Sequence, residues 1–238
     1  MRFLLLLLVA TSCASVYMPN TRNTPMFRES GEAQLSVYAA AGLDFQGAYA
    51  VTDHIAIMGN YNWLSANQTV ADSTFKQKNN LWEVGLGLYG VKRKIRWELF
   101  AGYGMGKVDS YSQLGGLFYS DFGQQEVIST GNYTKIFIQP SLGSNKKKVN
   151  VAFTPRISLI EFKDFTAAGI TRTSTEKMQI FIEPAFTTKF LLSGNLEAMI
   201  QIGITTSTKA EVYYEYERFQ ASAGLHLYIA NRLRTRVY

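Results

Sequence analysis

Apolar and polar residues alternate with a period of two along most of the chain from Glu32 onward. Within residues 81–91, for example, Trp82 and Val84 fall on one face and Glu83 falls on the other. Successive side chains of a strand point to opposite sides, so this pattern predicts β-strands and not helices. About ten such stretches occur, at residues 32–40, 43–51, 55–63, 81–91, 95–107, 133–144, 149–162, 177–190, 196–207 and 216–229.

The connections between these stretches alternate in length. Tight turns and long polar loops follow each other, with turns at 52–54, 92–94, 145–148 and 193–195 and loops at 65–79, 108–132 and 163–176. Short turns at one rim and long loops at the other are typical of membrane barrels, in which strands of about ten residues cross the hydrocarbon layer at a tilt of roughly 45°. The pattern therefore predicts an all-β fold over residues 32–238. The expected architecture is a closed antiparallel up-and-down transmembrane β-barrel of about ten strands, with eight as the alternative.

The same alternation would fit a soluble lipocalin-like barrel in which the apolar face lines a ligand cavity. Two features favour the membrane barrel. The polar face is rich in small residues such as Gly85, Gly102 and Ser222, which suit a crowded interior. The apolar face carries aromatic residues near strand ends, as membrane interfaces require. These are Tyr61, Trp63, Trp82, Trp97, Tyr103 and Phe219.

On this assignment a set of charged side chains points into the barrel, namely Glu83, Arg96, Glu98, Lys135, Arg156, Glu183 and Glu197. Counted from the short turns, Glu83, Lys135, Arg156 and Glu183 lie at similar heights, and the other three lie near the base. Because an unpaired charge in a narrow lumen is costly, we expect paired layers that fill the barrel. A polar path for a small solute is the alternative.

The amino terminus begins with Arg2, an apolar run from Phe3 to Ala10, and then Thr11-Ser12-Cys13. This arrangement predicts an export signal, because the apolar run is too short to span a bilayer. Its end resembles a bacterial lipobox, which implies a signal peptide over residues 1–12 and an acylated Cys13. An ordinary signal with a passenger cysteine is the alternative. Residues 13–31 are then predicted to be an extended, lipid-anchored tether.

The chain also resembles the small outer-membrane β-barrel proteins of Gram-negative bacteria. The resemblance lies in the alternating stretches, in the hairpin sequence of residues 49–55 and in Ser222-x-Gly224-x-x-Leu227-x-Ile229, which is similar to the C-terminal β-signal of such barrels. Residues 230–238 follow this signal, which often ends the chain. The resemblance implies the bacterial outer membrane and contact with outer-membrane lipid and the barrel assembly machinery. An even number of strands puts both termini on the short-turn side, which is the periplasmic side of such barrels, where a lipid on Cys13 would sit in the inner leaflet. The resemblance implies no activity.

Candidate chemistry is sparse. The chain has two histidines, and neither His54 in a short turn nor His226 near the inner end of the last strand suits catalysis at the cell surface. His226 near Glu197 is a candidate buried relay, with a hydrogen-bonded interior histidine as the alternative. No catalytic motif, cofactor or metal site is predicted. The net charge of +6 would suit nucleic acid, but export from the cytoplasm argues against that partner.

The expected function is therefore a structural or surface-interaction role in the outer membrane. Aromatic residues in the loop 108–132 suit a surface protein or glycan partner, and they equally suit a loop that folds into the barrel mouth. The alternatives are a barrel enzyme that acts on envelope lipid, a narrow solute channel and a soluble ligand binder.

Overall fold

A computed structural model of the chain describes residues 15–70, 73–114, 125–146, 148–167, 170–172, 178–209, 212 and 214–229. The predicted signal peptide and Cys13 lie outside these residues. The β-segments are β1 (Ala33–Ala39), β2 (Leu43–Ala50), β3 (Ile55–Val70), β4 (Ser73–Lys92), β5 (Ile95–Leu114), β6 (Gln125–Ser144), β7 (Val149–Thr154), β8 (Ile157–Ala167), β9 (Ile170–Arg172), β10 (Met178–Ile182), β11 (Ala185–Ser193), β12 (Leu196–Ile204), β13 (Thr206–Ser207) and β14 (Phe219–Ile229).

These segments form ten barrel strands, because β7 and β8 are parts of one strand, β9 to β11 of the next, and β12 and β13 of the one after. Each strand pairs antiparallel with its neighbour in sequence. The sheet closes where β1 pairs with β14, from Ala33 opposite Ile229 to Ala39 opposite Ala223. The predicted closed barrel of ten strands is confirmed.

The large apolar side chains lie on the outside of the barrel. Leu86 and Leu142 are 60% and 59% exposed, whereas the inward charges Glu83 and Lys135 are buried. A soluble calyx would have the opposite arrangement. Because a closed barrel leaves no unpaired strand edge, an apolar exterior of this kind is compatible with the hydrocarbon layer of a membrane.

Aromatic side chains mark one boundary of the apolar belt. Tyr61, Trp63, Trp82 and Tyr103 are exposed on neighbouring strands, and the rings of Trp82 and Tyr103 meet edge to face at 6.2 Å. We call these four residues the upper girdle. The short turns lie at the other end of the barrel, below Trp97. Among the described residues, no helix is long and apolar enough to cross a membrane.

Two of the predicted long loops are largely strand. β3 and β4 remain paired up to Val70 opposite Ser73, and β5 and β6 up to Leu114 opposite Gln125. Above the upper girdle both faces of a hairpin can be polar, so apolar alternation ends while the backbone pairing continues. The sequence pattern therefore marked the membrane boundary and not the end of the strands. We call this end of the molecule the long-hairpin end.

Candidate functional site: the occupied lumen

Residues 15–28 run through the inside of the barrel, and we call them the lumen segment. Residues 15–27 are all buried, and Arg28 is exposed. At the long-hairpin end the amide of Val16 donates to the carbonyl of Glu215 at 2.8 Å. At the short-turn end the amide of Phe27 donates to Oε1 of Glu98 at 3.0 Å. This part of the chain was predicted to be a tether, but it is a plug.

The direction of the lumen segment also changes the predicted positions of the termini. The end of β14 lies beside the short turns, since the amide of Tyr228 donates to the carbonyl of Asn195 at 2.8 Å. Ser15 lies at the opposite end of the barrel, because its neighbour Val16 contacts the loop before β14. The prediction that both termini lie on the short-turn side considered only the strands. It did not include the additional passage of residues 15–28 through the lumen.

Polar side chains of the barrel pair with the backbone of the lumen segment. Gln201 accepts from the amide of Arg22 at 2.7 Å and donates to its carbonyl at 2.9 Å. Buried backbone groups need such partners, and a glutamine amide offers both a donor and an acceptor, as a neighbouring strand would. Further contacts of this kind join Asp44 and Gln46 with Thr21, Gln139 with Asn23, Lys189 with Thr24 and Gln220 with Pro19.

We expect Gln201→Leu to destabilise the barrel by about 1–3 kcal/mol for each of the two backbone groups of Arg22 that it leaves unpaired. Gln179 provides a matched control, because it is a buried lumen glutamine whose amide makes no hydrogen bond with any described residue. Gln179→Leu should therefore be neutral or slightly stabilising. Urea titration of both refolded variants in the same lipid measures the difference, and equal losses would contradict the pairing role of Gln201.

Aromatic contacts hold the two ends of the lumen segment. The Tyr17 ring packs against Phe181 at 4.9 Å and against Tyr133 at 6.0 Å. The Phe27 ring meets Tyr89 at 5.6 Å near the short turns. Rings at both ends resist sliding of the segment along the barrel axis, because each would have to leave an apolar contact for a polar layer.

Inward-facing glycines leave space for some of the large rings in the lumen. A Cβ atom at Gly102 would lie 2.3 Å from the Phe137 ring, and one at Gly106 would lie 2.1 Å from the Tyr133 ring. Both distances are far below van der Waals contact. The small residues that the sequence places on the polar face therefore make room for aromatic side chains and do not widen the lumen.

A charged layer surrounds the middle of the lumen segment. Glu83 lies 3.0 Å from Nζ of Lys135 and 3.3 Å from Arg156, and Glu183 lies 3.8 Å from Lys135. The four residues predicted to share a height are thus close together. Arg22 of the lumen segment joins them, with its guanidinium 3.8 Å from Glu183. Sequence reasoning missed Arg22, because its surroundings show no periodicity.

Asn20 lies at the centre of this charged layer. Its Nδ2 donates to Glu83 at 2.7 Å, and its Oδ1 accepts from Arg156 at 2.9 Å and from Lys135 at 3.4 Å. The hydroxyl of Tyr17 donates to Glu183. The lumen segment therefore adds hydrogen bonds from Asn20 and Tyr17 to the direct ion pairs between the barrel strands.

Two strand interruptions aim Arg156 and Glu183 into this layer. Arg156 follows Pro155 between β7 and β8, and Glu183 precedes Pro184 between β10 and β11. Proline lacks an amide proton and interrupts a ladder. The two charged residues instead pair with each other through their backbones, at 3.2 and 2.7 Å.

Near the short turns, two of the predicted residues contact the lumen segment and two contact each other. Arg96 donates to the carbonyl of Met26 at 2.6 Å, and Glu98 accepts from Phe27 as described above. His226 lies 3.7 Å from Glu197, and its Nδ1 lies 3.0 Å from the hydroxyl of Ser36. This geometry fits a hydrogen-bonded interior histidine.

A cavity of 230 Å³ opens beneath the lumen segment at the short-turn end. Its lining includes Arg28, Arg96, Lys189, Glu197 and His226. Nζ of Lys189 already donates to the carbonyls of Thr24 and Pro25. Among the described residues, no group of three or more His, Cys, Asp and Glu side chains is placed to hold a metal ion.

Carboxyl groups beyond the spanning strands hold both ends of the lumen segment. Glu217 contacts the hydroxyl of Ser15 at 3.5 Å, and Glu32 accepts from the amide of Arg28 at 2.7 Å. Burial raises the pKa of both carboxyls, and their hydrogen bonds oppose that shift.

Comparisons with known proteins give limited information. No protein-family model and no curated protein sequence matches the chain. Among solved structures, the chain is similar to the translocator domain of the autotransporter NalP from Neisseria meningitidis, with 10% identity, 84% of this chain and 86% of that chain covered, and a TM-score of 0.49. It is also similar to the N-terminal β-barrel domain of Pseudomonas aeruginosa OprF (11%, 85% and 98% covered, 0.34) and to Acinetobacter baumannii CarO (9%, 87% and 100% covered, 0.36). Because the sequence identities and TM-scores are this low, these structures indicate no functional role for this chain.

Proposed function

We propose that this chain is an outer-membrane β-barrel lipoprotein of a Gram-negative bacterium whose own amino-terminal segment closes its lumen. Its role is structural or surface-interacting, without enzymatic or channel activity. The main support is the burial of residues 15–27 inside the barrel, with their backbone paired to barrel side chains. A lumen occupied in this way leaves the outer surface and the hairpins as the parts that meet partners.

The long hairpins are the proposed contact surface for a surface protein or a glycan. β3 with β4 and β5 with β6 extend beyond the upper girdle as paired, polar strands. Lys76 and Tyr111 face each other there, with Nζ 5.6 Å from the ring centre. Side chains on paired strands lose less conformational entropy on binding than side chains on an irregular loop do.

Conductance across a planar bilayer tests this proposal. The refolded chain should be silent, and replacement of Tyr17, Asn20 and Arg22 together by glycine should produce steady currents, because these three side chains fill the middle and upper lumen. His54→Ala in an exposed turn is the control and should stay silent. Steady current through the unmodified chain would favour the channel instead. Release of fatty acid from phospholipid vesicles would favour the enzyme.

A lipid on Cys13 gives a second prediction. Cys13→Ala should abolish incorporation of a labelled fatty acid and leave the barrel in the membrane, because the apolar belt buries far more surface than acyl chains do. Metabolic labelling and membrane fractionation measure both outcomes. Label that persists on the variant would contradict the lipobox assignment.

A further inference from the structure

The lumen segment has a defined direction. The chain passes from Val16 beside Glu215, at the long-hairpin end, to Arg28 beside Glu32, at the short-turn end. It then reverses at Gly31, whose φ of 81° is in the left-handed region, and enters β1 at Ala33. Fourteen residues can span at most roughly 45 Å, which is enough to cross the apolar belt of about 25 Å in such barrels.

Contacts along its whole length maintain this direction. Backbone groups of the lumen segment pair with Asp44, Gln201 and Gln139 on different walls of the barrel. Asp44 accepts from the amide of Thr21, and Gln139 donates to the carbonyl of Asn23. A reversed segment would not keep this donor and this acceptor at the same positions along the barrel. The ring contacts of Tyr17 and Phe27 also differ at the two ends.

The lumen segment adds one passage to the ten passages of the strands, so the chain crosses the membrane an odd number of times. Outer-membrane barrels place their short turns on the periplasmic side. We propose, on the basis of the function above, that the barrel presents its mature amino terminus at the cell surface. Cys13 precedes Ser15 by two residues, at most about 7 Å of chain. An acyl group on Cys13 would then enter the outer leaflet and not the periplasmic leaflet.

Epitope tags in cells test this inference. One tag is inserted between Ala14 and Ser15, a second after Val70 in the β3–β4 hairpin, and a third between Gly194 and Asn195 in a short turn. We expect antibody to label the first and second tags on intact cells, and the third only after the outer membrane is permeabilised. Labelling of the first tag only after permeabilisation, with the second tag labelled on intact cells, would overturn the inference and leave the barrel proposal standing. A second tag hidden on intact cells would overturn the outer-membrane proposal itself.

A smaller change covers the case in which the first tag prevents folding. A single cysteine inserted between Ala14 and Ser15 is probed with a membrane-impermeant maleimide, and the unmodified chain is the control because an acylated Cys13 has no free thiol. Labelling of the variant several times above the control on intact cells supports the inference. Labelling only after permeabilisation contradicts it.

Discussion

Glu83→Ala is expected to lower the free energy of unfolding by about 3–5 kcal/mol, because it removes a carboxylate from a fully buried layer of cations. Glu83 lies within 3.3 Å of both Lys135 and Arg156 and accepts from Asn20 and Asn60. Without it, Glu183 alone faces three buried cations. Folding titrations in lipid vesicles measure the loss.

Two further variants test the cause of this loss. The double variant Glu83→Gln, Lys135→Met removes one negative and one positive charge, so the net charge of the layer is the same as in the unmodified chain. It should recover part of the stability. Glu197→Ala is the matched control, because Glu197 is 17% exposed and its His226 contact is 3.7 Å long. It should cost less than about 1 kcal/mol. Similar losses for Glu83→Ala and Glu197→Ala would contradict the paired layer.

Ile200→Arg is expected to cost roughly 2–4 kcal/mol, the range for a cation on the lipid face near the bilayer midplane. Ile200 is 49% exposed in the middle of β12, on the apolar exterior. The same folding titrations in lipid provide the measurement.

Ser65→Arg is the control for this prediction. Ser65 is also exposed on the outer face, but it lies beyond Trp63 of the upper girdle, where an arginine meets water. We expect no measurable loss there. A harmless Ile200→Arg would contradict the membrane assignment of the outer face.

The barrel could be predicted from the sequence because one physical constraint repeats along it. A strand with lipid on one side and a polar interior on the other must alternate, and Leu86 outside with Glu83 inside follows this rule. The same alternation placed Glu83, Lys135, Arg156 and Glu183 in one layer, where the structure also has them. The alternation did not predict the paired strands between Ser65 and Asn79, because strands in water need no apolar face.

The lumen segment could not be predicted in this way. Many of the contacts that fix its position are made by its backbone, and backbone groups leave no pattern in a sequence. The one available signal was on the barrel walls, where Gln46, Gln139, Gln201 and Gln220 place amides on the inward face of separate strands. Such amides are better suited to pairing with a peptide backbone in the lumen than to an ion-pair network alone. Arg22 and Lys189 were missed for the same reason, since Arg22 belongs to the segment and Lys189 binds its carbonyls.

Amide hydrogen exchange of the intact, refolded chain tests most directly whether residues 15–28 lie inside the barrel. The amides of Thr21, Arg22 and Phe27 donate to buried side chains of the wall. We predict that peptides covering residues 19–27 exchange as slowly as peptides from β5 and β6, since both open only when the barrel opens. Complete exchange of residues 19–27 within seconds, with β5 and β6 still protected, would show an exposed tether and contradict the closed lumen.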